Sequence, residues 1–361
     1  MLTIKVDSLA KNPGQVDKII EILREGGVIC IPTDTVYGLA SHAENEEAVT
    51  RIYNLKKRSR QKPLIIFPEN KKELTNLTCK ISLSGIKLIG KFWPGPLTIL
   101  FKTSLREPWW LTGEEGKIGV RIPAHTLLRT ICERGKISLA TTSANLSGEM
   151  SITSPERLSP EIKNGLDALI DAGETPLGKE STIVDVTTSS PQTVREGYIT
   201  SSEINKALKE KLKVTFVCSG NTCRSVMAEA LFKKMLPSKY QEKIEVNSAG
   251  IFASGFSPAS TFTQRVLRKR GIDVSSHRST LAESNLIEQS DLVLTMEKKH
   301  VQHLIKLSPG AAMKIWMLRE FTRGKEEDIL DPAGGDESSY EKTCQEIEAE
   351  IPKILERLIG N

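Results

Sequence analysis

The 361-residue sequence is poor in cysteine and in aromatic side chains. Its six cysteines, at positions 30, 79, 132, 218, 223 and 344, are too sparse to staple a disulfide scaffold, so a reducing cytoplasmic compartment is expected. No apolar stretch approaches the length of a membrane-spanning helix, and no membrane partner is expected. The opening MLTIKVDSLAKNPG has an early acid and no apolar run, unlike a secretory leader. Glycine and proline are scattered, which argues against a fibrous or disordered chain. The formal charge of +5 is mild; it permits an anionic partner without requiring one. Aromatics are not interleaved with basic residues as on an RNA-binding surface. Neither G-x4-G-K-[ST] nor G-x-G-x-x-G occurs, so any nucleotide site must be built another way.

What is present suits two domains, with 39% apolar residues recurring in short runs. Leu2–Val6, Val28–Ile31, Leu64–Phe67, Leu97–Phe101, Ile118–Ile122, Ser138–Thr141 and Thr182–Val186 read as strands. Gln15–Arg24 reads as a helix with Val16, Ile19, Ile20 and Leu23 on one face, and Glu46–Leu55 as another. This mixture predicts an α/β domain over 1–200. The polar segment 201–212, SSEINKALKEKL, predicts a linker helix. Beyond it, over 213–361, strands at 214–217, 244–247, 291–295 and 313–318 alternate with helices at 225–236, 259–270, 297–306 and 339–359. That regular βα alternation predicts a doubly wound parallel sheet with helices on both faces.

The second region opens on VTFVCSGNTCRSVMAEALFKKML, residues 214–236. Cys218 closes a strand and Ser225 opens a helix, so the turn between them can aim backbone N–H groups at one point. That environment suits a phosphate and favours a thiolate. Arg224 offers a planar fork to two phosphoryl oxygens. Asp331, in ILDPAGG, is a candidate acid for the leaving group and base for the following water. CSGNTCRS, NSAG at 247–250, SDLVLTM at 290–296 and Asp331–Pro332 together resemble the low-molecular-weight protein tyrosine phosphatase family. The resemblance implies Cys218 as nucleophile, Arg224 as phosphate ligand and Asp331 as acid, with Asn221 and Ser225 supporting the loop and the thiolate; no cofactor is implied. Thr222 and Ala333–Gly334 resemble the bacterial protein-arginine phosphatases, so a phosphoarginine protein is the expected partner, with phosphotyrosine the alternative. Two departures are visible: Ala333 replaces an aromatic residue, and Val226 a proline. Cys223 is left open between a structural residue and a redox partner of Cys218. His277 reads as a structural loop residue and Cys344 as a helix-face residue.

Four polar clusters mark the first region: IPTDTVYGLA (31–40), LKKRSRQKP (55–63), KFWPGPLTIL (91–100) and LATTSANLSGE (139–149). Hydroxyl and basic groups at strand ends can hold both a carboxylate and a triphosphate. These clusters, with VRIP at 120–123 and STIVD at 181–185, resemble the YrdC/Sua5 family of threonylcarbamoyl-AMP synthases. The resemblance implies a twisted mixed-sheet α/β fold that condenses L-threonine, bicarbonate and ATP, with Mg2+ arriving on the nucleotide and no protein metal site. It assigns Lys56 and Arg58 to the phosphates. Thr141, Ser143, Asn145 and Ser181 fall to the nucleotide, and Thr33 and Thr35 to threonine and carbamate. Arg121 and Arg195 are further anion ligands, or alternatively structural ion-pair residues. Phe67 stands where many members carry histidine. The product feeds N6-threonylcarbamoylation of adenosine 37 in tRNA, making tRNA or a tRNA-modification transferase a possible partner. A non-catalytic RNA- or nucleotide-binding module is the alternative.

Overall fold

The computed structural model describes residues 1–9, 14–78, 81–103, 110–112 and 116–360. Chain contacts divide it into two units, Met1–Ile81 with Phe92–Asn205, and Ser82–Lys91 with Lys206–Asn361. In the first unit the strands are β1 Leu2–Lys5, β2 Ile29–Ile31, β3 Gly38–His42, β4 Ile65–Phe67 and β5 Leu97–Lys102. They continue as β6 Lys117–Val120, β7 Leu139–Ser143, β8 Ala168–Asp171, β9 Thr182–Asp185 and β10 Gln192–Arg195. All ten form one mixed sheet in the order β1-β8-β2-β3-β7-β4-β6-β5-β9-β10.

Sequence periodicity carries through to packing at helix Gly14–Arg24, which buries Val16, Ile19, Ile20 and Leu23, the stripe read from the sequence. Those side chains join Ile29, Ile31, Leu139 and Ile170 of the sheet in one core. Each fully buried aliphatic side chain contributes about 1.5–3 kcal/mol. Strands β3, β8 and β10 are absent from the sequence reading, as are several helices, among them Leu83–Phe92 and Thr126–Gly135. The reason is clear for β3: GLASH has no β-branched residue, and it is a strand because β2 and β7 pair with it on both sides.

In the second unit, β11 Leu212–Cys218, β12 Ile244–Gly250, β13 Leu292–Thr295 and β14 Ile315–Met317 form a parallel sheet ordered β12-β11-β13-β14. Helices flank it. The register sets Cys218 beside Gly250 and Val217 beside Thr295, so the carboxyl ends of three strands share one edge. Helix Arg224–Met235 is buried over most of its surface because it packs on β11 and β12 and against helices Glu337–Glu348 and Ile351–Ile359.

Among the boundaries that differ from the sequence reading, three have a plain physical cause. The helix expected over 201–212 ends at Lys209, because Leu212 is buried and pairs with Ile244 as the first residue of β11. The helix expected over 339–359 is two helices; Pro352 lacks an N–H and sits in the first turn of the second. The strand expected over 313–318 is only three residues long, since Glu320 accepts the Met317 N–H at 3.1 Å and starts a helix at Leu318. Of the cysteines, Cys79 lies outside the described residues, and the other five are buried free thiols.

A methyl group on Gly250 would lie 2.7 Å from both the Asn221 nitrogen and the Ser219 carbonyl oxygen, atoms that cannot swing aside. Gly250→Ala is therefore expected to lose about 1–3 kcal/mol in urea unfolding. A wild-type midpoint would contradict this close approach.

Candidate active sites

The turn after β11 is held by one asparagine. Asn221 adopts φ +54°, a conformation asparagine tolerates better than most residues. Its amide nitrogen donates to Ser225 Oγ and Ser248 Oγ, each at 2.9 Å, and its side-chain oxygen accepts the Thr280 N–H at 2.7 Å. His277 Nε2 lies 2.8 Å from the Asn221 carbonyl, a loop-bracing contact that matches its reading as a structural residue. With Asn221 donating to Ser225, the Ser225 proton is available to Cys218 Sγ, 3.0 Å away. The thiol is thus placed at a strand end, against a hydroxyl donor and the start of a twelve-residue helix.

Arg224 is fully buried. Its Nη1 donates to Glu297 Oε1 at 2.5 Å and to the Ile329 carbonyl at 2.8 Å. Its Nη2 donates to the Asp331 carboxylate and, at 3.4 Å, to Ser219 Oγ. Among the described residues its Nε has no partner. A buried guanidinium N–H without an acceptor is costly, and an anion at the loop would satisfy it. Asp331 is 36% exposed, and its other oxygen accepts the Ala333 N–H at 3.2 Å. Gly334, at φ +85°, lets the chain turn behind it. Thr222 lies beside Cys223, with its Oγ1 3.5 Å from that sulfur. Cys223 Sγ also contacts Ser260 Oγ and Tyr340 Oη at 3.5 and 3.6 Å. Cys344 lies on the buried face of helix Glu337–Glu348, where burial pushes the thiol up to about 12.

In the first unit, sheet register gathers the polar clusters. Gly38 pairs with Ser143, Ile65 with Thr141, and Arg195 with Ile183. Together they line a cavity of about 600 Å³. Thr33, Thr35, Thr141, Ser143 and Ser181 face it, as do Arg58, Arg121 and Arg195. Phe67 forms part of its wall. The threonines are pre-oriented: Thr33 Oγ1 lies 2.9 Å from Thr35 Oγ1 and donates to the Val36 carbonyl at 2.7 Å.

Two predicted residues stand behind the wall rather than in it. Lys56 ends helix Glu46–Lys56 and is 1% exposed. Its ammonium donates to the carbonyls of Ser143 and Asn145, and to Asn145 Oδ1 at 3.3 Å. Burial, aided by Arg58, pushes its pKa down to about 8. Asn145 in turn spans its own loop, donating to the Leu146 and Glu149 carbonyls at 2.9 and 2.7 Å. The three arginines are already engaged. Arg121 makes a buried ion pair with Asp34 Oδ1 at 2.6 Å and bonds Thr35 Oγ1 and the Gly95 carbonyl, each at 3.0 Å. Arg195 holds Glu180 at 2.7 Å and the Ser181 carbonyl at 2.8 Å. Arg58 braces its own loop through the Lys62 carbonyl at 2.8 Å.

Residues 21–197 match the family described as Telomere recombination (Sua5, YciO and YrdC), and residues 213–361 match the Low molecular weight phosphotyrosine protein phosphatase family. The threonylcarbamoyl-AMP synthase of Pyrococcus abyssi is 37% identical over 188 residues, covering 52% of this chain and 55% of that protein. A putative threonylcarbamoyl-AMP synthase of Methanocaldococcus jannaschii is 36% identical over 186 residues, covering 50% of this chain and 87% of that one. A protein-arginine-phosphatase of Geobacillus stearothermophilus is 38% identical over 147 residues, covering 40% of this chain and 95% of that one. The chain is a fusion of these two families. It spans just over half the length of the Pyrococcus relative. A crystal structure of Pyrococcus abyssi Sua5 complexed with L-threonine shares the fold at 24% identity, with a TM-score of 0.54 over 86% of this chain and 94% of that one.

In the phosphatase-family domain, sequence reasoning missed Ser248, Glu297 and His300. Ser248 lies near the carboxyl end of β12 and bonds Asn221, while Glu297 and His300 lie just beyond β13 and meet Arg224 and Ser219. The signal available was that edge itself, where parallel sheets collect their ligands. In the synthase-family domain it missed Thr98 and Glu180, which face the same cavity as Ser181. Asn221→Gly keeps the backbone conformation and removes the side-chain bonds, whereas Asn221→Ala adds left-handed strain of about 1–2 kcal/mol. Thermal unfolding is expected to rank wild type above the glycine variant and the glycine above the alanine variant. Equal melting of all three would show that the loop does not depend on this residue.

Proposed function

We propose that the N-terminal domain condenses L-threonine, bicarbonate and ATP into threonylcarbamoyl-adenylate and pyrophosphate, for N6-threonylcarbamoylation of adenosine 37 in tRNA by a separate transferase. The observation that supports it is the single cavity into which the dispersed hydroxyl and guanidinium clusters converge. Threonine carbamate attacks the α-phosphorus, and Arg58 and Arg195 offset the charge that develops. Lys56 acts on the nucleotide through the Ser143–Asn145 loop that it holds. Holding the reactants in one cavity aligns them for the attack. Glu180, which also faces the cavity, is held by Arg195 and Ser151; in this reading Mg2+ arrives on the nucleotide phosphates.

The C-terminal domain, in the same proposal, hydrolyses phosphoarginine on proteins. Cys218 attacks phosphorus, forming an S–P bond as the P–N bond breaks, and Asp331 protonates the departing nitrogen. Ser225 supports the thiolate, and Arg224 with the loop amides stabilises the trigonal-bipyramidal state. Asp331 then takes a proton from the water that releases phosphate. Thr222 and the open Ala333–Gly334 turn favour a polar guanidinium over a phenyl ring.

With ATP, Mg2+ and L-threonine, the full chain should give threonylcarbamoyl-adenylate by mass only when bicarbonate is present. Cys218→Ser should leave that yield unchanged while abolishing dephosphorylation. If ATP binds and no adduct forms, the domain is a binding module. Thr222→Ile should shift kcat/KM towards aryl phosphate by roughly tenfold or more, and an unshifted ratio would refute the specificity account. Because the Lys56 ammonium loses its proton as pH rises through about 8, the adenylate yield should decline on that alkaline limb. A profile flat to about two units above that value would remove Lys56 from the mechanism.

A further inference from the structure

The phosphate loop carries a hydroxyl that the mechanism above does not use. Ser219 follows the nucleophile, and its side chain meets His300, a fully buried residue of helix Lys298–Leu307. His300 Nδ1 accepts the backbone N–H of Glu297 at 3.1 Å. That bond requires Nδ1 to be bare, so the ring proton sits on Nε2. Nε2 lies 3.0 Å from Ser219 Oγ and 3.7 Å from Glu297 Oε1. Burial, reinforced by Arg224, pushes the imidazole pKa down to about 4, so the ring is neutral near pH 7.

Ser219 Oγ therefore accepts from His300 Nε2–H and, at 3.4 Å, from Arg224 Nη2. A hydroxyl has two lone pairs and one proton. With both lone pairs engaged, Ser219 can only donate, and among the described residues no acceptor takes its proton. Without His300 one lone pair of the hydroxyl is released, and the direction of its proton is no longer fixed.

We propose that Ser219 donates a hydrogen bond to a phosphoryl oxygen of the substrate, and that His300 is the positioning residue that fixes this polarity. The proposal rests on the phosphatase reading of this domain. A donor set in advance needs no reorganisation when charge moves onto the phosphoryl oxygens, and its bond to an anion is of the strong, charge-assisted kind.

The test uses the full chain, with phosphoarginine and p-nitrophenyl phosphate as substrates and orthovanadate as the bound analogue. Ser219→Ala should lower kcat/KM and vanadate affinity by roughly tenfold to a hundredfold. Ser219→Thr, which keeps the hydroxyl, should restore most of both. His300→Phe should show a similar loss, and adding it to Ser219→Ala should cost little more. Should His300→Phe not fold, the alanine and threonine variants at 219 decide alone. Wild-type catalysis and vanadate binding by Ser219→Ala would overturn the proposal while leaving the phosphatase reading intact. Multiplying losses in the double variant would show that His300 acts elsewhere and would overturn its assigned role. A wild-type chain that neither binds vanadate nor turns over either substrate would overturn both readings.

Discussion

A cation taken out of water must be surrounded by oxygen, and each unit of this chain is organised around that requirement. In the phosphatase-family domain the cation is Arg224, held by Glu297, Asp331 and the Ile329 carbonyl. In the synthase-family domain Lys56 is held by the Ser143–Asn145 loop, and Arg121 by Asp34, Thr35 and Gly95. Removing one partner from such a buried pair costs about 3–5 kcal/mol, because the remaining charge cannot be rehydrated. The oxygens come from segments far apart in sequence, so satisfying the cation also assembles the site.

The two domains use their cations differently. Among the described residues Arg224 keeps one N–H without a partner, and one of its carboxylate partners, Asp331, is partly exposed. Lys56 has no such opening: its ammonium points at backbone and amide oxygens. It shapes the cavity from behind, while Arg58 and Arg195 line the wall itself. Catalysis by positioning needs such braced groups, since a hydroxyl or guanidinium free to rotate would lose much of its alignment.

Legibility followed sequence distance. Cys218, Asn221, Arg224 and Ser225 lie within eight residues, so a strand-turn-helix reading already places them together. The covered face of helix Gly14–Arg24 was readable from its spacing alone. Glu297 and His300 were not readable, because they meet Arg224 and Ser219 only through the parallel pairing of β11 with β13. Strand β3 was hidden because its small residues take extended form from their neighbours rather than from their own preference.

By itself the sequence determined the kinds of chemistry open to this chain: a cysteine, an arginine and an acid in one region, and hydroxyl and guanidinium clusters in the other. It also determined two α/β regions, since the alternation of apolar runs is local. Only the tertiary structure decided which cations face a cavity and which stand behind it. It also decided that the His300 ring proton sits on Nε2 and points at Ser219. Residue identity sets what a group can donate or accept, while burial and register decide which partner it meets.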